Sequence, residues 1–163
     1  MPLYDVEHVI PLTEEQQETL AKAFTDAHAT RFKTPKFFIN VRYTDARGQA
    51  VFRGGRRAVY NRLILRTRAG DQELRSKQLY DDHCRELVRV WERVVGKEAE
   101  RALRTVWVLG ALTTAVECGI ARPRVGEEEQ WLASNMVEFR RLAAAGDEDF
   151  VELVHELDSA THR

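Results

Sequence analysis

Apolar and polar residues alternate over residues 2–10, which sets Pro2, Tyr4, Val6 and His8 on one face of a strand and Leu3, Asp5, Glu7 and Val9 on the other. The period then changes. Thr13 with Gln16 three residues later forms a capping-box pattern, and Leu20, Ala23, Phe24 and Ala27 recur at helical spacing, predicting a helix that ends near Thr30. Pro35 closes the connection. Residues 37–43 return to strand period, with Phe37, Ile39, Val41 and Tyr43 on one face and Phe38, Asn40 and Arg42 on the other. A short strand at Val51 and Phe52 and a Gly54-Gly55 turn complete the first third.

The same order recurs. Residues 62–68 read as a strand ended by Ala69-Gly70, Gln72 to Val95 as a helix stopped by Gly96, and residues 105–109 as a closing strand. Two β-α-β units, 1–60 and 61–120, with right-handed crossovers predict an α+β fold, a four-stranded sheet carrying both helices on one face. The other face is expected to carry Tyr4, Val6, Phe38 and Ile64 beside Arg42, Arg66 and Arg68. That mixture is too polar for a core and too apolar for bare water, so it predicts cover by sister subunits in a symmetric homo-oligomer. After a turn-rich connector, helices are expected from Glu127 to Ala145 and from about Asp147 to Leu157, with residues 159–163 frayed. Residues 121–163 thus form a helical extension of a single domain spanning 1–163.

Composition narrows the setting. The chain has 163 residues, 44% hydrophobic and 31% charged, with a net charge of -1, values of a soluble globular protein with no global pull toward nucleic acid or anionic membrane. Cys84 and Cys118 have no zinc-like spacing, the N-terminus shows no signal peptide, and no run approaches membrane-span length; a cytoplasmic protein is expected. Arg53-Gly54-Gly55-Arg56-Arg57 reads as a hairpin turn with solvated arginines, not as a nucleic-acid site. Trp91, Trp107 and Trp131 occupy core-like positions, and His8, His83, His155 and His162 form no metal-ligand pattern, so neither metal nor cofactor is implied.

The candidate chemistry starts at Pro2. Removal of Met1 would leave a secondary amine at a strand end, a general acid or base whose ordinary pKa is nearer neutrality than that of lysine and falls further on burial. His28 stands near the end of the first helix, and Arg66 and Arg68 share one strand face, where a forked donor can hold a carboxylate. Glu117 lies in an apolar run and is a candidate acid or base toward water. Arg66 and Asn40 are the further candidates for binding substrate.

Met1-Pro2-Leu3-Tyr4, Lys22 to His28, Val51 to Gly55, Arg68-Ala69-Gly70, Val106-Trp107-Val108 and Val116 to Gly119 together resemble the tautomerase superfamily, within it the cis-3-chloroacrylic acid dehalogenase-like group. The resemblance implies a homotrimer of β-α-β-β-α-β subunits with Pro2 as the catalytic amine. It further implies that His28 and Arg68 bind and polarise a substrate carboxylate and that Glu117 activates water. Two positions depart from the dehalogenases: Asp71 stands where they carry a second arginine, and Leu109 where they carry a tyrosine. The function expected is therefore tautomerisation or hydration of a small unsaturated or 2-keto carboxylate, without efficient dehalogenation. The alternative is a tautomerase-fold oligomer with a binding or regulatory role.

Overall fold

A computed structural model describes residues 2–68, 75–110, 116, 117, 120, 121, 123 and 126–161; for 116, 117, 160 and 161 the backbone alone is described. Strand β1 (Leu3–His8) leads through a turn into helix α1 (Glu14–Phe32). The start of α1 is fixed as the sequence predicts. Thr13 Oγ1 accepts from the Gln16 N–H at 3.2 Å and the Gln16 side chain accepts from the Thr13 N–H at 3.1 Å, a cap worth about 1 kcal/mol.

The second strand begins later than predicted. Pro35 opens a 3-10 turn over Lys36–Phe38, and β2 runs Asn40–Asp45. A hairpin follows, β3 (Phe52–Arg53) against β4 (Arg56–Arg57), with Gly54 at φ 58° and Gly55 at φ 75°, backbone that L side chains resist. Strand β5 (Asn61–Arg66) stops short of the predicted end, so Arg68 lies beyond it. Helix α2 (Lys77–Val94) starts at a Ser76 cap, five residues later than the periodicity suggests, and β6 spans Leu103–Leu109.

The main sheet has the order β2-β1-β5-β6, with β1 parallel to β2, β5 parallel to β6, and β1 antiparallel to β5. This is the predicted four-stranded α+β plan. Its core joins Tyr4, Val6, Leu63 and Leu65 from the sheet to Leu20 and Phe24 of α1 and Leu87, Val90 and Trp91 of α2. Both helices therefore cover one face.

Which strand residues face them corrects the sequence reading. Tyr4 and Val6 are fully buried under the helices, because Leu65 and Leu63 stand opposite them in register and share their face. The other face instead carries Asp5, Glu7, Arg42, Arg62, Ile64 and Arg66, with Trp107 46% and Leu109 41% exposed. Trp107 is thus not a core residue in the chain taken alone. Asp5 accepts from Arg42 at 2.6 Å and from Arg66 at 2.9 Å. Burial would raise its carboxyl, but the two guanidinium partners outweigh that and hold it below the ordinary carboxylate value.

A two-stranded ribbon, β7 (Val116–Glu117) with β8 (Ile120–Ala121), precedes helices α3 (Glu128–Ala144) and α4 (Glu148–Thr161). Helix α4 runs on through Thr161, past the predicted fraying point. A second cluster centred on Phe139, Phe150 and Leu153 joins α3 and α4. Phe37 meets Phe150 at 5.0 Å between centroids, and Phe38 meets Trp131 at 5.6 Å. The aromatic pair that imitates a strand start in the sequence is therefore the dock for the C-terminal helices. No helix among the described residues is long and apolar enough to cross a membrane.

Candidate active site

Pro2 is buried at the lead-in to β1, its carbonyl accepting from the Asn40 N–H at 3.0 Å. It lines a cavity of about 30 Å³ with His28, Thr34, Phe38, Thr67, Arg68, Arg75, Pro123 and Glu128. That is room for a water or two. Pro2, His28 and Arg68, predicted from separate stretches, meet here.

The other predicted residues are placed differently. Arg66 points to Asp5 on the uncovered sheet face, so Arg66 and Arg68 do not act on one site. The strand ladder ends between them. The Asn40 side chain donates to the Phe38 carbonyl at 3.3 Å and does not line the cavity; its backbone, not its amide, holds Pro2. Glu117 has its backbone in β7, while its side chain, like Asp71 and Cys118, lies outside the described residues.

His28 is held from behind. It is 1% exposed, and its Nδ1 lies 2.6 Å from the Tyr4 hydroxyl, whose oxygen is also 2.7 Å from His83 Nε2. Three elements supply this chain: Tyr4 from β1, His28 from α1 and His83 from α2. Burial, reinforced by His83 and Arg75, pushes His28 down to about 2, and burial with Arg31 pushes His83 down to about 4. Both rings are neutral at physiological pH. Burial, with Cys84 and Glu86 adding to it, holds the Tyr4 phenol well above 10, so it keeps its proton.

Arg68 donates to the Pro123 carbonyl and has the Glu128 carboxylate at 3.6 Å, so the start of α3 reaches the cavity. Arg75 adds a second guanidinium, resting over the Phe32 ring at 5.3 Å. Thr34, Thr67, Arg75, His83 and Glu128 were not singled out from the sequence as site residues. A signal existed for His83: with Leu87 and Trp91 it continues an i, i+4 stripe, as His28 does with Leu20, Phe24 and Phe32, and all seven are buried. A hollow of about 870 Å³ between α2 and β6 holds neither Pro2 nor His28, but Thr67 and Arg75 border both spaces. The larger hollow therefore adjoins the smaller cavity through these two residues. Among the described residues no group of three or more His, Cys, Asp or Glu side chains is placed to hold a metal ion.

Several solved structures share the fold. N1, a member of the cis-3-chloroacrylic acid dehalogenase family, is 20% identical, with a TM-score of 0.66 over 93% of this chain and 99% of that one. Pt0534 inactivated by 2-oxo-3-pentynoate is 14% identical, with a TM-score of 0.52 over 66% of this chain and 83% of that one. A fused 4-OT asymmetric trimer is 13% identical, with a TM-score of 0.52 over 65% of this chain and 83% of that one. No curated protein matches the chain. Residues 1–136 match the family model described as "Putative oxalocrotonate tautomerase enzyme", and the chain belongs to that tautomerase family.

Proposed function

We propose that the protein is a Pro2-dependent tautomerase or hydratase acting on a small unsaturated or 2-keto carboxylate. One observation carries the reading: Pro2, His28 and Arg68, from three distant stretches, line one cavity. With Met1 removed, the Pro2 nitrogen is the proton donor or acceptor at substrate carbon. Arg68 binds the carboxylate, and Arg75 supplies the second cation that Asp71 does not. Neutral His28 hydrogen-bonds a substrate oxygen. For hydration, Glu117 is the candidate base toward water. Substrate fills the space bordered by Thr67 and Arg75 and displaces Glu128 from Arg68. The family relationship and the uncovered sheet face support a homotrimer, and a cytoplasmic location is part of the same proposal.

A second reading has its own support. Arg68 already holds a carbonyl and a carboxylate partner, an arrangement suited to an oligomer with a binding role and an idle amine. Kinetics on a 2-keto or enol acid separate the two. A positioned proton-transfer group supplies roughly 10²–10⁴ in rate, so Pro2→Ala should lower kcat/KM by that range; unchanged turnover would refute catalysis by Pro2.

A further inference from the structure

We infer that His83, through Tyr4, fixes the tautomer of His28 so that its Nε2–H is presented to the Pro2 cavity as a hydrogen-bond donor. The inference deepens the proposed function and rests on it for the meaning of the donor, though not for the tautomer itself. His83 is a positioning residue, with Tyr4 between it and the site.

The chain of contacts allows two directions. The Tyr4 oxygen stands 2.6 Å from His28 Nδ1 and 2.7 Å from His83 Nε2, and the hydroxyl has one proton to give. In the first arrangement His83 Nε2–H donates to Tyr4 and Tyr4 donates to His28 Nδ1. The His28 proton is then on Nε2. That is the nitrogen left for the cavity, since Tyr4 occupies the other. In the second, His28 Nδ1–H donates to Tyr4, Tyr4 donates to His83, and the His83 proton moves to Nδ1.

His83 Nδ1 decides between them. It is buried and finds no hydrogen-bond partner among the described residues. The second arrangement strands an N–H there, whereas the first strands only a lone pair, and orphaned buried N–H groups are the rarer of the two. Among the described residues no third group competes for the Tyr4 hydroxyl, whose ring is stacked on Phe24 at 5.8 Å.

The test is long-range ¹⁵N–¹H correlation of the histidine-labelled full chain near neutral pH, on wild type and three variants. Wild type should show His28 and His83 both protonated at Nε2. His83→Leu should mix the His28 tautomers, and His83→Gln, which keeps a side-chain N–H for Tyr4, should restore the wild-type pattern. Tyr4→Phe breaks the same link at its middle and keeps the ring stacking, so it answers if His83→Leu does not fold. For turnover, His83→Leu should lower kcat by about 10-fold with KM little changed, well under the loss of a proton-transfer group itself, with Gln recovering most of it. A wild-type His28 protonated at Nδ1, or a His28 tautomer unchanged in both His83→Leu and Tyr4→Phe, overturns the inference. Absence of turnover in the wild type would count against the proposed function alone, because the tautomer is read without substrate.

Discussion

The two faces of β1 solve the problem of polar groups in opposite ways. On the helix side, Tyr4 lies at zero exposure between two neutral histidines, joined by short hydrogen bonds and no charge. On the other side, Asp5, one residue along, keeps its charge and shares it with Arg42 and Arg66, whose side chains are 60% and 39% exposed. Under two helices a charge loses its hydration, so the network there is neutral and directional. On the uncovered face water reaches the guanidinium groups, and ion pairs are tolerated. Only the neutral face leads to Pro2 and His28.

Acid separates the two faces most strongly. Folded His28 and His83 bind protons less readily than in the unfolded chain, so the unfolded chain takes up protons first as pH falls. Their stabilisation is complete above the ordinary histidine value of 6.5 and is lost toward about 4 for His83 and about 2 for His28. Asp5, whose value is lowered, holds its contribution until pH falls below 3.8. Urea unfolding between pH 7 and 4.5 should therefore lose several kcal/mol, at about 1.4 kcal/mol per pKa unit. His83→Leu should flatten that slope, while Asp5→Asn should leave it intact. A slope that followed Asp5 would reverse the contrast.

Smaller effects come from single contacts. Tyr4→Phe strands two buried ring nitrogens and should cost about 2–4 kcal/mol. Arg42→Met removes an exposed partner of Asp5 and leaves Arg66 in place, so about 1 kcal/mol or less is expected. Equal losses from the two in denaturant titrations would mean that the neutral chain carries no special weight.

The sequence makes the elements legible where a local rule fixes them. Thr13 and Gln16 cap α1, the glycine pair turns the β3–β4 hairpin, and the repeated strand-helix-strand order yields the sheet. It misleads where a choice depends on distant residues. Alternation along β1 defines two faces, but Leu63 and Leu65 decide which one meets the helices. Phe37 and Phe38 read as strand because their aromatic partners, Phe150 and Trp131, lie about a hundred residues away. Arg66 and Arg68 look equivalent by spacing until the ladder ends between them and sends Arg66 to Asp5 and Arg68 to the cavity. His83 stands out in the sequence only as a histidine outside any metal-ligand pattern unless its buried stripe is noticed. Pro2, His28 and Arg68 are candidates by residue type and position, and the family resemblance ties them to one site, which periodicity alone does not do.

The central claim is that the Pro2 amine is free and reactive at the cavity it shares with His28 and Arg68. The most direct measurement is intact-mass and peptide-mapping analysis after treatment with 2-oxo-3-pentynoate, an electrophilic keto acid that a secondary amine attacks by conjugate addition. The account predicts a protein lacking Met1, one adduct per chain on the peptide that begins at Pro2, loss of labelling in Arg68→Ala, and loss of activity in step with labelling. A chain that retains Met1, or an adduct on Cys84 or elsewhere with Pro2 unmodified, would contradict it.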